Sequence, residues 1–267
     1  MPDDLVALRV DNKDHVATVT LLRTIMDKDF WREVPLVFEE FSADPDVRVV
    51  VLTGGDEIFS EGLDWAVMAP VCMSGAEVAS SRTELMMFIR GCQAAMSAVA
   101  NCRKPVVAAV SGWCLGVALD LLAATDIRLA ASNAKFSLFG VKTGVVQDFG
   151  VLQRLVTIIG EGYVRELAFT GATVDAYRAM RMGLINNVYG NPGDVLHEAH
   201  RMAAEIADNA PLAVQGVKDV LNFNRDGRIV DGLRYVATWN AAYLPNDDLY
   251  EAVRARSENR PPKFHGR

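Results

Sequence analysis

An α/β core followed by a helical C-terminal layer is the fold class that this sequence predicts, on three observations. Two short, nearly unbroken runs of β-branched and small apolar residues occur, VRVVVLT at 47–53 and PVVAAV at 105–110. Runs of this kind mark strands covered on both faces. Around them, apolar residues recur at helical spacing, so that strand, loop and helix alternate, and beyond Gly160 the pattern becomes almost wholly helical.

Each element follows from local chemistry. Residues 5–10 and 15–22 gather β-formers around DNKDH, a turn-forming stretch, and predict an opening hairpin. Residues 28–43 carry apolar side chains at helical spacing, with Pro35 inside the pattern. VRVVVLT ends at Gly54-Gly55, and FSEGLD follows. Residues 66–80 read as a polar connection, and 82–101 as a long helix. The stretch 104–126, KPVVAAVSGWCLGVALDLLAATD, reads as a strand, a break at Ser111-Gly112 and a helix after Gly116. Short strands are expected at 127–130 and 136–138, then a loop over 140–150. Helices are expected at 151–159, 163–169, 174–182, 195–208, 211–223, 228–243 and 247–257. The change of pattern at GNPGD divides the chain into a core over 1–195 and a helical region over 196–267.

The composition narrows the functional classes. A chain of 267 residues that is 51% hydrophobic builds a large core. Its net charge of −7 argues against non-specific binding to nucleic acid or an anionic membrane. The run 104–126 is long enough to raise the question of a membrane span, but Ser111, Gly112, Gly116 and Asp120 interrupt it. Cys72, Cys92, Cys102 and Cys114 have no C-x-x-C spacing and read as reduced packing residues. With an N-terminal MPDDLVALRV that lacks the apolar core of a secretory signal, they predict a cytoplasmic protein.

Asp120 is the only charge between Lys104 and Asp126. A carboxylate among Ala118, Leu119, Leu121 and Leu122 is either satisfied structurally or placed there for chemistry. Other constellations point nowhere. His197 and His200 lie three apart in HEAH rather than in H-E-x-x-H, so no metal site is expected. No G-x-S-x-G surrounds Ser111, and the apolar neighbours of Cys114 favour packing over nucleophilic work.

Four segments together resemble the enoyl-CoA hydratase/isomerase, or crotonase, family: 47–64, 104–130, 135–155 and 171–188. APLAVQGVK at 210–218 and the ending RPPKFHGR also fit. The resemblance implies a spiral of stacked ββα units with a C-terminal helical region, assembled as a trimer or a pair of trimers. It implies an acyl-CoA thioester as substrate, with no separate cofactor. It also implies an oxyanion hole built from two backbone amides, which fall at Leu63 and Val117, with Gly62, Asp64, Gly116, Gly140 and Lys263 as substrate or CoA contacts.

The carboxylates distinguish the branches. Of the two glutamates of the family's hydratases, the first falls at Asp120 and the second at Gly140, which has no side chain. The dienoyl-CoA isomerase branch is closer: it carries aspartates at Asp120 and at Asp148, within VQDFGVLQRL, although its remaining acidic position is again Gly140. Proton transfer with Asp148 as base and Asp120 as partner is therefore expected. Asp148 as the N-cap of the following helix is the competing reading. Atypical hydration, other thioester chemistry and an acyl-CoA-binding homologue without full catalysis stay open. Glu61, before the oxyanion segment, reads as a solvent-facing loop residue.

Overall fold

The computed structural model describes residues 5–55, 57–64, 79–225, 233, 238, 240 and 246–266. Most of the expected helix over 228–243, most of the connection over 66–80 and Cys72 lie outside the described residues. Strands β1 (Leu8–Lys13) and β2 (Val16–Leu21) form the opening hairpin, paired from Leu8–Leu21 to Lys13–Val16. Its turn is shorter than DNKDH: only Asp14 and His15 leave the ladder, both at positive φ. This is the two-residue geometry whose twist suits a hairpin.

Strand β3 (Ile25–Met26) leads into helix α1 (Lys28–Ala43), whose first turn is capped by Asp27 accepting from the Asp29 and Phe30 amides. Pro35 sits inside α1 without ending it, because Phe30, Val34, Val37, Phe38 and Phe41 hold one face on the core. Strand β4 (Val49–Thr53), strand β5 (Gly62–Leu63) and helix α2 (Ala79–Asn101) make the next turn of the chain. Strands β6 (Val106–Val110) and β7 (Trp113–Leu115) with helix α3 (Val117–Ala123) make another. Strands β8 (Ile127–Ala131) and β9 (Lys135–Ser137), a single 3₁₀ turn (Phe139–Thr143) and helix α4 (Val151–Ile159) follow.

The first strand of each turn joins one six-stranded sheet in the order β1-β2-β4-β6-β8-β11, where β11 is Asn187–Tyr189. Every pairing beyond the opening hairpin is parallel in that sheet. The second strands gather separately, β7 and β9 with β10 (Thr173–Asp175), and β5 with β3. The chain thus winds as a spiral of stacked strand–strand–helix turns.

Period-two alternation explains why the central strands are apolar throughout. Val50, Leu52, Val106, Ala108 and Val110 face the large core beneath α1 and α2. Val49, Val51, Val107, Ala109 and Leu129 face the other way, onto helix α7 (Pro192–Ala207) through Val195, Ala199, Ala203 and Ala207.

Besides the two-residue strands β3 and β5, three strands are missed by sequence patterning. Trp113–Leu115 reads as part of a turn but pairs with β9, and Asn187–Tyr189 pairs with β8. Thr173–Asp175 replaces the start of the helix expected from 174, because it pairs antiparallel with β9; Asp175 then caps helix α6 (Ala176–Met182). Each is only three residues long and is fixed by a distant partner, which local propensity does not register. The remaining helices are α5 (Glu161–Thr170), α8 (Pro211–Arg225) and α9 (Asp247–Ser257). Among the described residues, no helix is long and apolar enough to cross a membrane.

Candidate active site

Two backbone segments meet at the junction of β5 and α3. Ser60 N donates to Trp113 O at 2.9 Å, and Leu115 N donates back to Ser60 O at 3.1 Å. The Ser60 hydroxyl accepts from Gly62 N and donates to Thr24 O, which fixes the approach to Leu63. Gly62 has φ +95°, and a Cβ there would lie 2.6 Å from Leu115 O and 3.5 Å from Val117 N. Only glycine permits this approach. Val117 is the first residue of α3, after Gly116 at φ +53°, and no side chain caps that helix. Its amide is one of the unsatisfied donors of a helix N-terminus, where negative charge is favoured.

These segments open onto a cavity of about 320 Å³. Its walls include Leu63, Leu115, Phe139, Val145 and Phe149, so it is largely apolar. Gly62, Gly116, Val117, Asp120, Gly140 and Asp148 line the same cavity. The structure therefore brings together most of the residues singled out in the sequence. Asp64 and Lys263 are not among the cavity's walls. Asp64 N bonds Met26 O, and Lys263 lines a separate hollow beside α9 with Arg254 and Arg260. Glu61 is exposed, as its sequence context predicts, yet it also reaches the rim of the cavity.

Asp120 is 1% exposed, and its Oδ1 accepts from Val151 N at 2.7 Å. Burial pushes its carboxyl up to about 7, against the pull of the Val151 amide and the Arg154 guanidinium; the Asp148 charge adds to the rise. Asp148 is half-buried, and burial raises it from the ordinary carboxylate range. Its backbone carbonyl accepts from Gln93 Nε2 at 2.6 Å. Behind it, Trp31 packs edge-on against Phe149 at 5.5 Å.

The capping role foreseen for Asp148 is not what the structure shows. Gly150, at φ +115°, holds the cap position of α4 and makes no side-chain cap bond. Asp120 reaches across from α3 to the Val151 amide instead. Asp148 is left facing the cavity.

Sequence reasoning missed two contributors. Arg154 sits over Gly150, donates to Phe149 O at 3.3 Å and supplies the cation nearest in effect to Asp120. Gln147 lines the cavity and is only 9% exposed. A Cβ at Gly140 would lie 2.6 Å from Gln147 Nε2 and 2.7 Å from Val145 O, so the carboxamide occupies the space where a side chain at 140 would begin. A lone glutamine beside the loop aspartate, seven residues after the glycine, was the available signal.

The remaining residues behave as packing. Cys92, Cys102 and Cys114 are free and buried. Burial, with Asp148 second, pushes the Cys92 thiol up to about 12, and burial likewise raises Cys114. His200 is engaged with Thr18 Oγ1 at 3.0 Å.

An uncapped helix start and a tightly packed glycine segment on the wall of an apolar cavity, with two carboxyls of raised pKa on the same wall, make a site suited to an enzyme whose ligand develops negative charge. The chain belongs to the enoyl-CoA hydratase/isomerase family, whose model matches residues 11–267. It is 39% identical to the mitochondrial Delta(3,5)-Delta(2,4)-dienoyl-CoA isomerase of Dictyostelium discoideum, covering 98% of this chain and 92% of that protein. Against the peroxisomal Delta(3,5)-Delta(2,4)-dienoyl-CoA isomerase of Arabidopsis thaliana it is 38% identical, covering 88% of this chain and 86% of that protein. The crystal structure of an enoyl-CoA hydratase from Bacillus anthracis superposes with a TM-score of 0.89 at 25% identity, covering 98% of this chain and 100% of the other. The crotonase-type spiral expected from the sequence is therefore the fold. The cytoplasmic expectation is overturned, since the two relatives are named as mitochondrial and peroxisomal enzymes. Reduced cysteines are equally suited to those compartments, which is why composition misled.

Proposed function

We propose that this enzyme moves a carbon–carbon double bond along an unsaturated acyl-CoA. The carrying observation is that both carboxyls, Asp120 and Asp148, line the same cavity as Leu63 and Val117. In this reading the thioester oxygen accepts from the Leu63 and Val117 amides. Asp148, ionised, takes a proton from the α-carbon; the C–H electron pair forms a new double bond, and the charge moves to the thioester oxygen as an enolate. Asp120, its carboxyl held up near 7 by burial, returns a proton at the far end of the conjugated system. Electrons fall back from the oxygen, and the product is an isomer of the substrate, with no water added. Asp148 and Asp120 end with their protonation exchanged and reset by proton transfer.

Likeness to two dienoyl-CoA isomerases supports isomerisation over hydration. Gly140 supports a second reading, an atypical hydratase, and a third, an acyl-CoA-binding homologue of weak catalysis, because a side chain at that position is replaced by the neutral Gln147 amide. Enoyl- and dienoyl-CoA chains of several lengths, followed by ultraviolet absorbance, separate the readings. A dienoyl shift that is lost in Asp148→Asn supports isomerisation. Loss of the enoyl band without an isomer supports hydration, and binding without any spectral change supports the third.

The same reading gives CoA two further contacts, Asp64 beside the oxyanion segment and Lys263 at its phosphates, the latter tested by a weaker CoA affinity in Lys263→Ala. It gives residues 196–267 an assembly role in a homotrimer or pair of trimers, which light scattering checks. Nucleic acid, membrane, metal and any cofactor apart from the CoA of the substrate have no part in it.

A further inference from the structure

We infer that Gln147 is a specificity-determining residue that reads a hydroxyl on the acyl chain, so that the preferred ligand is a hydroxylated acyl-CoA rather than a plain hydrocarbon one. The inference rests on the acyl-CoA reading above and extends it to the chemical class of the chain. Gln147 is 9% exposed, lines the apolar cavity with Asp120 and Asp148, and its Nε2 is buried without a hydrogen-bond partner. A buried donor without a partner is uncommon in a folded protein and carries a penalty for as long as it stays unmet.

The carboxamide is held in this place by its surroundings. It fills the room next to Gly140, where no side chain competes for it. The rest of the wall is mostly aliphatic or aromatic: Leu63, Leu115, Val117, Phe139, Val145 and Phe149. A hydrocarbon chain entering this space leaves the buried Nε2 as unmet as it already is. A hydroxyl on the chain would satisfy it. Rotation of the carboxamide about its final, soft torsion exchanges Oε1 and Nε2 at the cavity face, and a hydroxyl both accepts and donates. Either setting of the amide therefore serves. Sites built to hydrogen-bond a ligand hydroxyl discriminate strongly against analogues that lack it, whereas apolar pockets barely reject an added hydroxyl.

Saturated acyl-CoAs of one chain length, either plain or bearing one hydroxyl at successive carbons, test the inference by calorimetry without any turnover. In the wild type, a hydroxyl at one position should tighten binding at least about tenfold over the plain chain. Gln147→Met, nearly isosteric and apolar, should erase that preference and bind the plain chain as well as or better than the wild type does. If Gln147→Met does not fold, Gln147→Leu takes its place, and the wild-type series decides on its own. Equal affinity for every chain in the wild type, or a hydroxyl preference that survives in the variant, overturns the inference. Equal affinities with isomerisation intact would remove this inference alone. A hydroxyl preference with no isomerisation of any substrate would remove the isomerase reading alone.

Discussion

Asp120, at the start of one helix, supplies the cap of another: its Oδ1 lies 2.7 Å from the amide of Val151, 31 residues along the chain. One oxygen of the buried carboxyl thus ties α3 to α4, and the group remains on the wall of the acyl cavity. Structural and chemical readings of this residue are therefore not alternatives.

Stability should depend on pH through this group. The folded carboxyl titrates near 7, above its ordinary 3.8, mainly because burial disfavours the charge. Between those values the folded state keeps a proton that the unfolded state releases. Asp120 thus contributes stability below about pH 4 that fades as pH rises toward 7, by at most on the order of 4 kcal/mol. Urea midpoints measured across this range should fall for the wild type. Asp120→Asn keeps an oxygen for Val151 and should flatten the decline, whereas Asp120→Ala should lose a further ~1–3 kcal/mol by orphaning that amide.

The rate should follow the same two groups with opposite signs. Activity rises as Asp148 ionises through its raised pKa and falls as Asp120 loses its proton near pH 7. The expected profile of kcat/KM is a bell. Asp120→Asn should lower kcat by about 10²–10⁴-fold, and its residual rate should no longer fall through pH 7. A falling limb that is unchanged in this variant would assign that limb to another group.

Removing one amide tests the oxyanion site directly. Val117 is the first residue of α3, a position where proline fits the helix and deletes only the N–H. Val117→Pro should reduce kcat by roughly 10²–10³-fold with little change in melting temperature. Gly62→Ala should damage both, because its φ of +95° and the Leu115 carbonyl leave no room for a methyl group. Equal rates for Val117→Pro and wild type would remove that amide from the mechanism.

Lys218 on α8 reaches back to the spiral, with Nζ 2.7 Å from Asp126 Oδ2 and 2.9 Å from Lys104 O. Asp126 Oδ2 also accepts from Val106 N, at the head of β6. Lys218→Met would leave that carboxylate without its cation and should lower unfolding stability by about 3 kcal/mol in a denaturant titration. Because the contact lies outside the cavity walls, KM for an acyl-CoA should stay near the wild-type value.

Much of this was legible in the chain itself. Unbroken apolar runs placed β4 and β6, and the helical spacing of residues 28–43 and 151–159 gave α1 and α4 with their ends. Hydrophobic period and turn-forming residues depend on near neighbours, so they survive in a bare sequence. The glycine and aspartate positions also sufficed to place Gly62, Gly116, Asp120 and Asp148 in one family pattern.

What only the tertiary structure decided is who meets whom. It gave the Val151 amide to Asp120 rather than Asp148, and it put the Gln147 carboxamide into the space beside Gly140. It also fixed β7, β10 and β11, each three residues long, through partners far along the chain. Burial and hydrogen-bond partnership are properties of packed surfaces brought together by the whole fold. A carboxyl's proton affinity and an amide's unmet donor follow from those surfaces, and no local pattern of residues encodes them.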